Sequence, residues 1–169
     1  MSSKIASVDV VAEKARSLQK SDKRVVFTNG CYDLLHPGHV DFLYRARQLG
    51  DALVVAINTD DSVRRLKGPS RPIFNDQDRS EVLAALEMVD AVCTFPEDTP
   101  LKAILMIRPD VLVKGADWGL DAIVGRQEVE GWGGTVVALP LIAGQSTTGI
   151  VERVRSRYPV HGNPGKTNQ

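Results

Sequence analysis

Two of the chain's three histidines, His36 and His39, stand three residues apart in TNGCYDLLHPGH (28–39), on either side of a proline and a glycine. The segment continues RVVFTNG (24–30), an apolar run ending in Gly30 that reads as a buried strand. Pro37 suits the first turn of a helix, where its missing N–H costs nothing. His39 then falls near that helix's N-terminus, beside unsatisfied N–H groups and the positive dipole end, where an anion is favoured. A spacing of three can turn both imidazoles toward one point, and Gly38 leaves the backbone approachable there. Such a pair suits a phosphate that gains charge in a transition state. No Walker-type loop, no GxGxxG fingerprint and no evident serine or cysteine nucleophile occurs, although Cys31 is close.

Three other segments could bring charge or hydrogen-bond donors to the same anion. VLVKGADW (111–118) places Lys114 and Asp117 after an apolar run. RLKGPSRPI (65–73) holds Lys67 and Arg71 in a glycine- and proline-broken loop, with Arg79 on the helix beyond it. GQSTTGI (144–150) offers Ser146 or Thr147 as the N-cap of a last helix. Each also has a plain reading: a solvated lysine in a glycine turn, charged loop residues in water, a cap and nothing more. Asn29 and Asp33 flank the histidine turn and could bind an acceptor or order the turn itself.

The elements that must position these residues alternate. Residues 8–18 have helical spacing at Val8, Val11, Ala15 and Leu18, with Ser7 as cap. Strands follow at 24–30, 52–58, 90–95, 109–115 and 134–140. Helices fall at 39–50 (closed by Gly50), 58–66, 78–89 (Val82, Leu86 and Val89 on one face), 99–107, 120–130 and 146–158. This alternation predicts an α/β fold, a Rossmann-like open parallel five-stranded sheet with helices on both faces. In the order 3-2-1-4-5 the winding reverses between the first and fourth strands, and ligands sit outside their carboxyl ends. The histidines follow the first strand and Lys114 the fourth, so they would face each other across that crevice.

The 169 residues, 43% hydrophobic and 25% charged, predict one domain over residues 1–158 with a tail at 159–169. A formal net charge of zero argues against nucleic acid or a membrane surface as partner, though not against a local basic pocket. Cys31 and Cys93 lack metal-ligand spacing, so no resident metal is expected. Without a signal-type segment or an apolar run of membrane length, the chain reads as cytoplasmic.

HPGH matches the HxGH signature of the nucleotidyltransferase superfamily, and GCYDLLHPGH is especially similar to its cytidylyltransferase-like branch. With LKGPSRP, EDTP, VLVKGADW and STTGIVERV, the chain over about residues 10–158 resembles the adenylyltransferases that make ADP-heptose. The resemblance implies transfer of AMP from ATP to D-glycero-β-D-manno-heptose 1-phosphate, releasing pyrophosphate, with Mg²⁺ bound to ATP, for lipopolysaccharide core synthesis. It is to the stand-alone form rather than the one fused to a sugar kinase, and relatives imply a homo-oligomer. It assigns catalysis to His36, His39, Lys67 and Lys114. It assigns the nucleotide to Thr28, Asn29, Gly30, Gly38, Ser146, Thr147 and Thr148, and the acceptor side to Cys31, Asp33, Arg71, Arg79 and Asp117. Cys31 itself reads as a small filler with no covalent task. Trp118 stands where tyrosine is expected in the fused relatives. Two rivals stay open: a CTP-dependent enzyme acting on glycerol 3-phosphate or a similar phosphorylated alcohol, and a nucleotide-binding sensor without chemistry.

Overall fold

Five segments apolar on both faces, as strands covered by helices on two sides must be, assemble into one parallel sheet. They are β1 (Val25–Gly30), β2 (Ala52–Asn58), β3 (Ala91–Phe95), β4 (Val111–Gly115) and β5 (Thr135–Leu139). The computed structural model describes residues 2–116, 119–142 and 144–158. The expected tail at 159–169, Asp117 and Trp118 lie outside the described residues.

The sheet order is β3-β2-β1-β4-β5, so the reversal of winding falls between β1 and β4 as expected. The register sets Thr28 of β1 beside Val55 of β2 and Val113 of β4, which brings the strand ends to one edge. Side chains alternate between two cores. Val25, Phe27 and Leu112 face α1 (Val8–Gln19), α5 (Leu101–Ile107) and α6 (Arg126–Gly131). Val26, Leu53 and Val113 face α2 (Pro37–Arg47) and α4 (Asp76–Ala84). α1 buries Val11, Ala12 and Ala15 within its own domain, and Ser7 caps it by accepting from the Val10 N–H. The remaining helices are α3 (Asp60–Lys67) and α7 (Thr147–Arg157).

Three helices depart from the expected spans. α2 begins at Pro37 and ends at Arg47 with Gln48 as its C-cap. Gly50 lies beyond it in a turn so tight that a Cβ would fall 2.7 Å from the Arg24 carbonyl oxygen. α4 ends at Ala84, and Val82, expected on its inner face, is 46% exposed. Asn75 starts this helix early by accepting from the Asp78 N–H, and the inner face carries Arg79, Ser80, Leu83 and Ala84 instead. Val89 is buried, but in the turn that descends to β3. The single helix expected over 120–130 is a short 3₁₀ turn at Leu120–Ala122 and then α6. Gly125 separates them at φ 89°, a backbone conformation few side chains tolerate. Its missing side chain also makes room for Ile104, whose Cδ1 would lie 2.6 Å from a Cβ there.

Candidate active site

The turn from β1 into α2 carries the histidines, and its backbone does not rest in easy conformations. Tyr32 and Leu34 both have positive φ, 47° and 53°. For residues with a Cβ this left-handed region is costly and persists only where the surroundings hold it. The surroundings here are explicit. The Asp33 side chain, fully buried, accepts from Arg71 Nε at 2.6 Å and from the Ile73 and Phe74 N–H groups at 2.9 and 3.1 Å. Thr147 Oγ1 donates to the Asp33 carbonyl at 2.7 Å, and Arg79 Nη1 donates to the Cys31 carbonyl at 2.6 Å. The Tyr32 ring fills the space a Gly30 side chain would need, 3.1 Å from a Cβ there.

His36 is the N-cap residue of α2, in an extended conformation, and its side chain makes no capping bond. Its ring stacks on His39 with centroids 3.8 Å apart and planes 21° apart, and Tyr32 leans on His39 at 5.2 Å. Both Nδ1 atoms are buried without a hydrogen-bond partner. Burial lowers the His36 pKa. Burial, together with the neighbouring His36, pushes His39 down to about 4. Near neutral pH the free site therefore presents two uncharged imidazoles at a helix N-terminus, and an arriving phosphate would draw protons back onto them.

At Gly38 a Cβ would lie 2.9 Å from Gln145 Cβ and 3.1 Å from the His36 ring, so a side chain there would meet the protein itself. Glycine at this position lets the His36 ring and the segment before α7 close on α2.

Across the crevice, Lys114 Nζ at the end of β4 donates to the carbonyl and side-chain oxygens of Asn29, both at 3.1 Å. This joins the two strand ends at the reversal point. Thr28 is buried on β1. Ser146 caps α7 by accepting from the Gly149 N–H at 3.1 Å, and Thr148 is exposed. Lys67 is exposed at the end of α3. It is close enough to Cys31 to pull down a thiol pKa that burial raises, as do Arg79 and Arg71.

Two residues expected on the acceptor side are engaged within the protein itself. Arg79 is only 2% exposed, and its guanidinium is engaged by Phe74, Cys31, Asn58 and Asp60, so it is not presented to a ligand. Asp33 is likewise occupied; burial raises its pKa, but the three donors outweigh that and hold it below the usual carboxylate range. It orders the turn, the other role its position allowed. Arg71, on Asp33, is 18% exposed at its side chain and remains at the rim.

Tyr32, Gln145 and Asn58 belong to this region and were not singled out from the sequence. Asn58 Nδ2 donates to Ser62 Oγ at 2.9 Å, and Ser62 in turn donates to the Glu97 carbonyl at 3.0 Å. A usable signal existed: Asn58 ends the otherwise apolar ALVVAIN just as Asn29 nearly ends VVFTNG. Tyr32 and Gln145 gave none. Among the described residues no group of three or more His, Cys, Asp or Glu side chains is gathered to hold a metal ion.

The arrangement can cradle a phosphate chain between a helix N-terminus with two imidazoles and the lysine end of β4. The family model described as cytidylyltransferase-like matches residues 27–153. Bifunctional protein HldE of Syntrophotalea carbinolica is 54% identical over 83% of this chain and 29% of its own length. HldE of Citrifermentans bemidjiense is 51% identical over 92% of this chain and 32% of its own. The chain thus spans about a third of the length of the curated relatives it matches. Among solved structures, a lipopolysaccharide core biosynthesis protein from Thermoplasma volcanium aligns with TM-score 0.59 and 29% identity, covering 71% of this chain and 97% of that one. A pantoate-beta-alanine ligase from Francisella tularensis aligns with TM-score 0.60 over 98% of this chain and 81% of its own, at 15% identity, and shares the fold alone.

Proposed function

The chain belongs to the cytidylyltransferase-like family, and we propose that it transfers AMP from ATP to D-glycero-β-D-manno-heptose 1-phosphate, giving ADP-heptose and pyrophosphate. The observation that carries the reading is the stacked His36–His39 pair after β1 with Lys114 at the end of the adjacent β4, where the winding of the sheet reverses. The HldE relatives and the lipopolysaccharide core biosynthesis protein support the choice of acceptor and the place in lipopolysaccharide core synthesis.

In this reading a phosphate oxygen of the sugar attacks the α-phosphorus of ATP in line, a new P–O bond forms, and the bond to the leaving pyrophosphate breaks. The protein's work is positioning and charge stabilisation. His36 and His39 hydrogen-bond the phosphates as charge moves toward pyrophosphate. Lys114 and Lys67 hold anionic oxygens from opposite sides, Asn29 and Gly30 line the floor, and the start of α7 at Ser146–Thr148 closes over the phosphates. Arg71 and Cys31 serve the acceptor side, a role that the resemblance also gives to Asp117. Mg²⁺ would arrive bound with ATP. Such an ion would neutralise triphosphate charge.

Substrates of this kind place the reaction in the cytoplasm, and among the described residues no helix is long and apolar enough to cross a membrane. Self-association belongs to the same reading: α7 buries no residue, and Val154 and Tyr158 stand 53% and 75% exposed. Sedimentation velocity decides it, and a monomer at high concentration would remove it.

Pyrophosphate release over a panel of ATP and CTP with heptose 1-phosphate, glycerol 3-phosphate and ethanolamine phosphate tests the assignment. Release with ATP and heptose 1-phosphate is expected, falling by about 10²–10³ in His36→Ala or His39→Ala while the fold is kept. CTP with a phosphorylated alcohol as the preferred pair would replace the reading, and ATP binding without release in any pair would make the protein a sensor.

A further inference from the structure

We propose that Arg79 is a positioning residue for the histidine pair, acting through the Cys31 carbonyl; this rests on the transferase reading, but the contact can be followed without turnover. Arg79 heads the fully buried side chains by volume, and its side chain is 1% exposed. A guanidinium so placed loses its hydration, which a well-packed apolar residue of similar size would not require. Its bonds indicate what that burial achieves. Nη1 donates to the Cys31 carbonyl at 2.6 Å, Nη2 to the Asn58 carbonyl at 2.8 Å, and Nε to the Phe74 carbonyl at 3.0 Å. Nη2 also reaches Asp60 Oδ1 at 2.9 Å, its partly exposed counter-charge.

Three of the four acceptors are main-chain carbonyls from three separate connections. One follows β1, one ends β2 and one precedes α4. A rigid planar fork holds such segments at set separations, as a single ammonium cannot. A second path closes the ring: the Phe74 N–H donates to Asp33, two residues after Cys31, while the Phe74 carbonyl accepts from Arg79. Between Gly30 and Gly38 the turn contains no glycine, yet Tyr32 and Leu34 hold positive φ. The bond to Cys31 thus pins the start of a turn that would otherwise relax, and His36 at its far end is set over His39 by the result.

Arg79→Lys keeps the cation but not the fork. Far-UV circular dichroism and cooperative melting establish its fold, and kcat is expressed per folded molecule. The expected result is a fall in kcat of about tenfold to a hundredfold, with KM for ATP within about threefold. Imidazole NMR signals of the nucleotide-free protein are expected to move as the stacked rings separate. Asp60→Asn removes only the ion pair, so its rings and kcat should stay within about threefold of wild type. A folded Arg79→Lys with unmoved imidazole signals and normal kcat would overturn the proposal. So would an Asp60→Asn loss as large as that expected of Arg79→Lys, and this criterion stands alone if the lysine variant does not melt cooperatively. Displaced imidazoles in a protein that, as wild type, releases no pyrophosphate would sustain the positioning role and sink the transferase reading.

Discussion

At the scale of single residues, the site is defined by groups whose surroundings oppose their ordinary behaviour. His39 is the clearest, because burial and a stacked neighbour hold it neutral even at pH 6.5, where an ordinary histidine is half protonated. The consequence for stability has a definite sign. Its folded value of about 4 lies below the ordinary 6.5, so between those values the unfolded chain binds a proton that the folded chain refuses. The contribution is complete above 6.5 and drains away as pH falls toward 4, with His36 adding in the same direction. Asp33 loses its contribution only lower, as pH falls through its depressed value, below 3.8. Urea midpoints measured at stepped pH should therefore decline through the histidine window, and His39→Gln should flatten that part while leaving the acid limb. An unchanged slope in the variant would mean that the protons go to another group.

At the scale of elements, the useful contrast is between pieces that carry chemistry and pieces that set angles. α2 presents the histidines, and Gly38 lets it come close to the segment before α7, with Gln145 on one side and the His36 ring on the other. Gly38→Ala places a methyl group 2.9 Å from Gln145 Cβ, in the helix's first turn, where alanine itself suits the backbone. The expected outcome is near-normal thermal stability with turnover reduced about tenfold or more, because the His36 ring is displaced. Steady-state kinetics beside a melting curve checks it, and a variant with normal kcat would show that the ring has room to spare. In the sequence a glycine between two histidines looks like a gap for substrate, and only the fold brings Gln145, over a hundred positions away, beside it.

For the whole molecule, stability resides in two apolar layers on either side of the sheet; the layer against α2 and α4 reaches the site through Tyr32, whereas no residue of the histidine turn belongs to the other. Leu112, fully buried beneath α5 and α6 on a strand flanked on both sides, tests that separation. Leu112→Ala should cost about 2–5 kcal/mol. Denaturant titration would read it as a lower midpoint at an unchanged slope, with kcat near normal in the folded fraction. A large fall in kcat at full folding would couple core to site.

The strand order was legible because apolar runs without alternation demand a sheet covered on both faces, and short helical connections favour parallel neighbours. The histidine turn and Lys114 were legible for the same reason: position after a strand end is a local property of the chain, and the topology sends those ends to one crevice. Helix spans were less so at α4 and α6, where an early cap at Asn75 and left-handed Gly125 reset boundaries that hydrophobic spacing alone misplaced. What only the tertiary structure decided is which polar residues remain available to a ligand. Arg79 and Asp33 have residue types that could hold a charged substrate, but their hydrogen bonds are taken by carbonyls and N–H groups distant in sequence. Residue type states what a side chain can bond. Which bond it makes depends on what lies within about 3 Å, and that distance is set by packing.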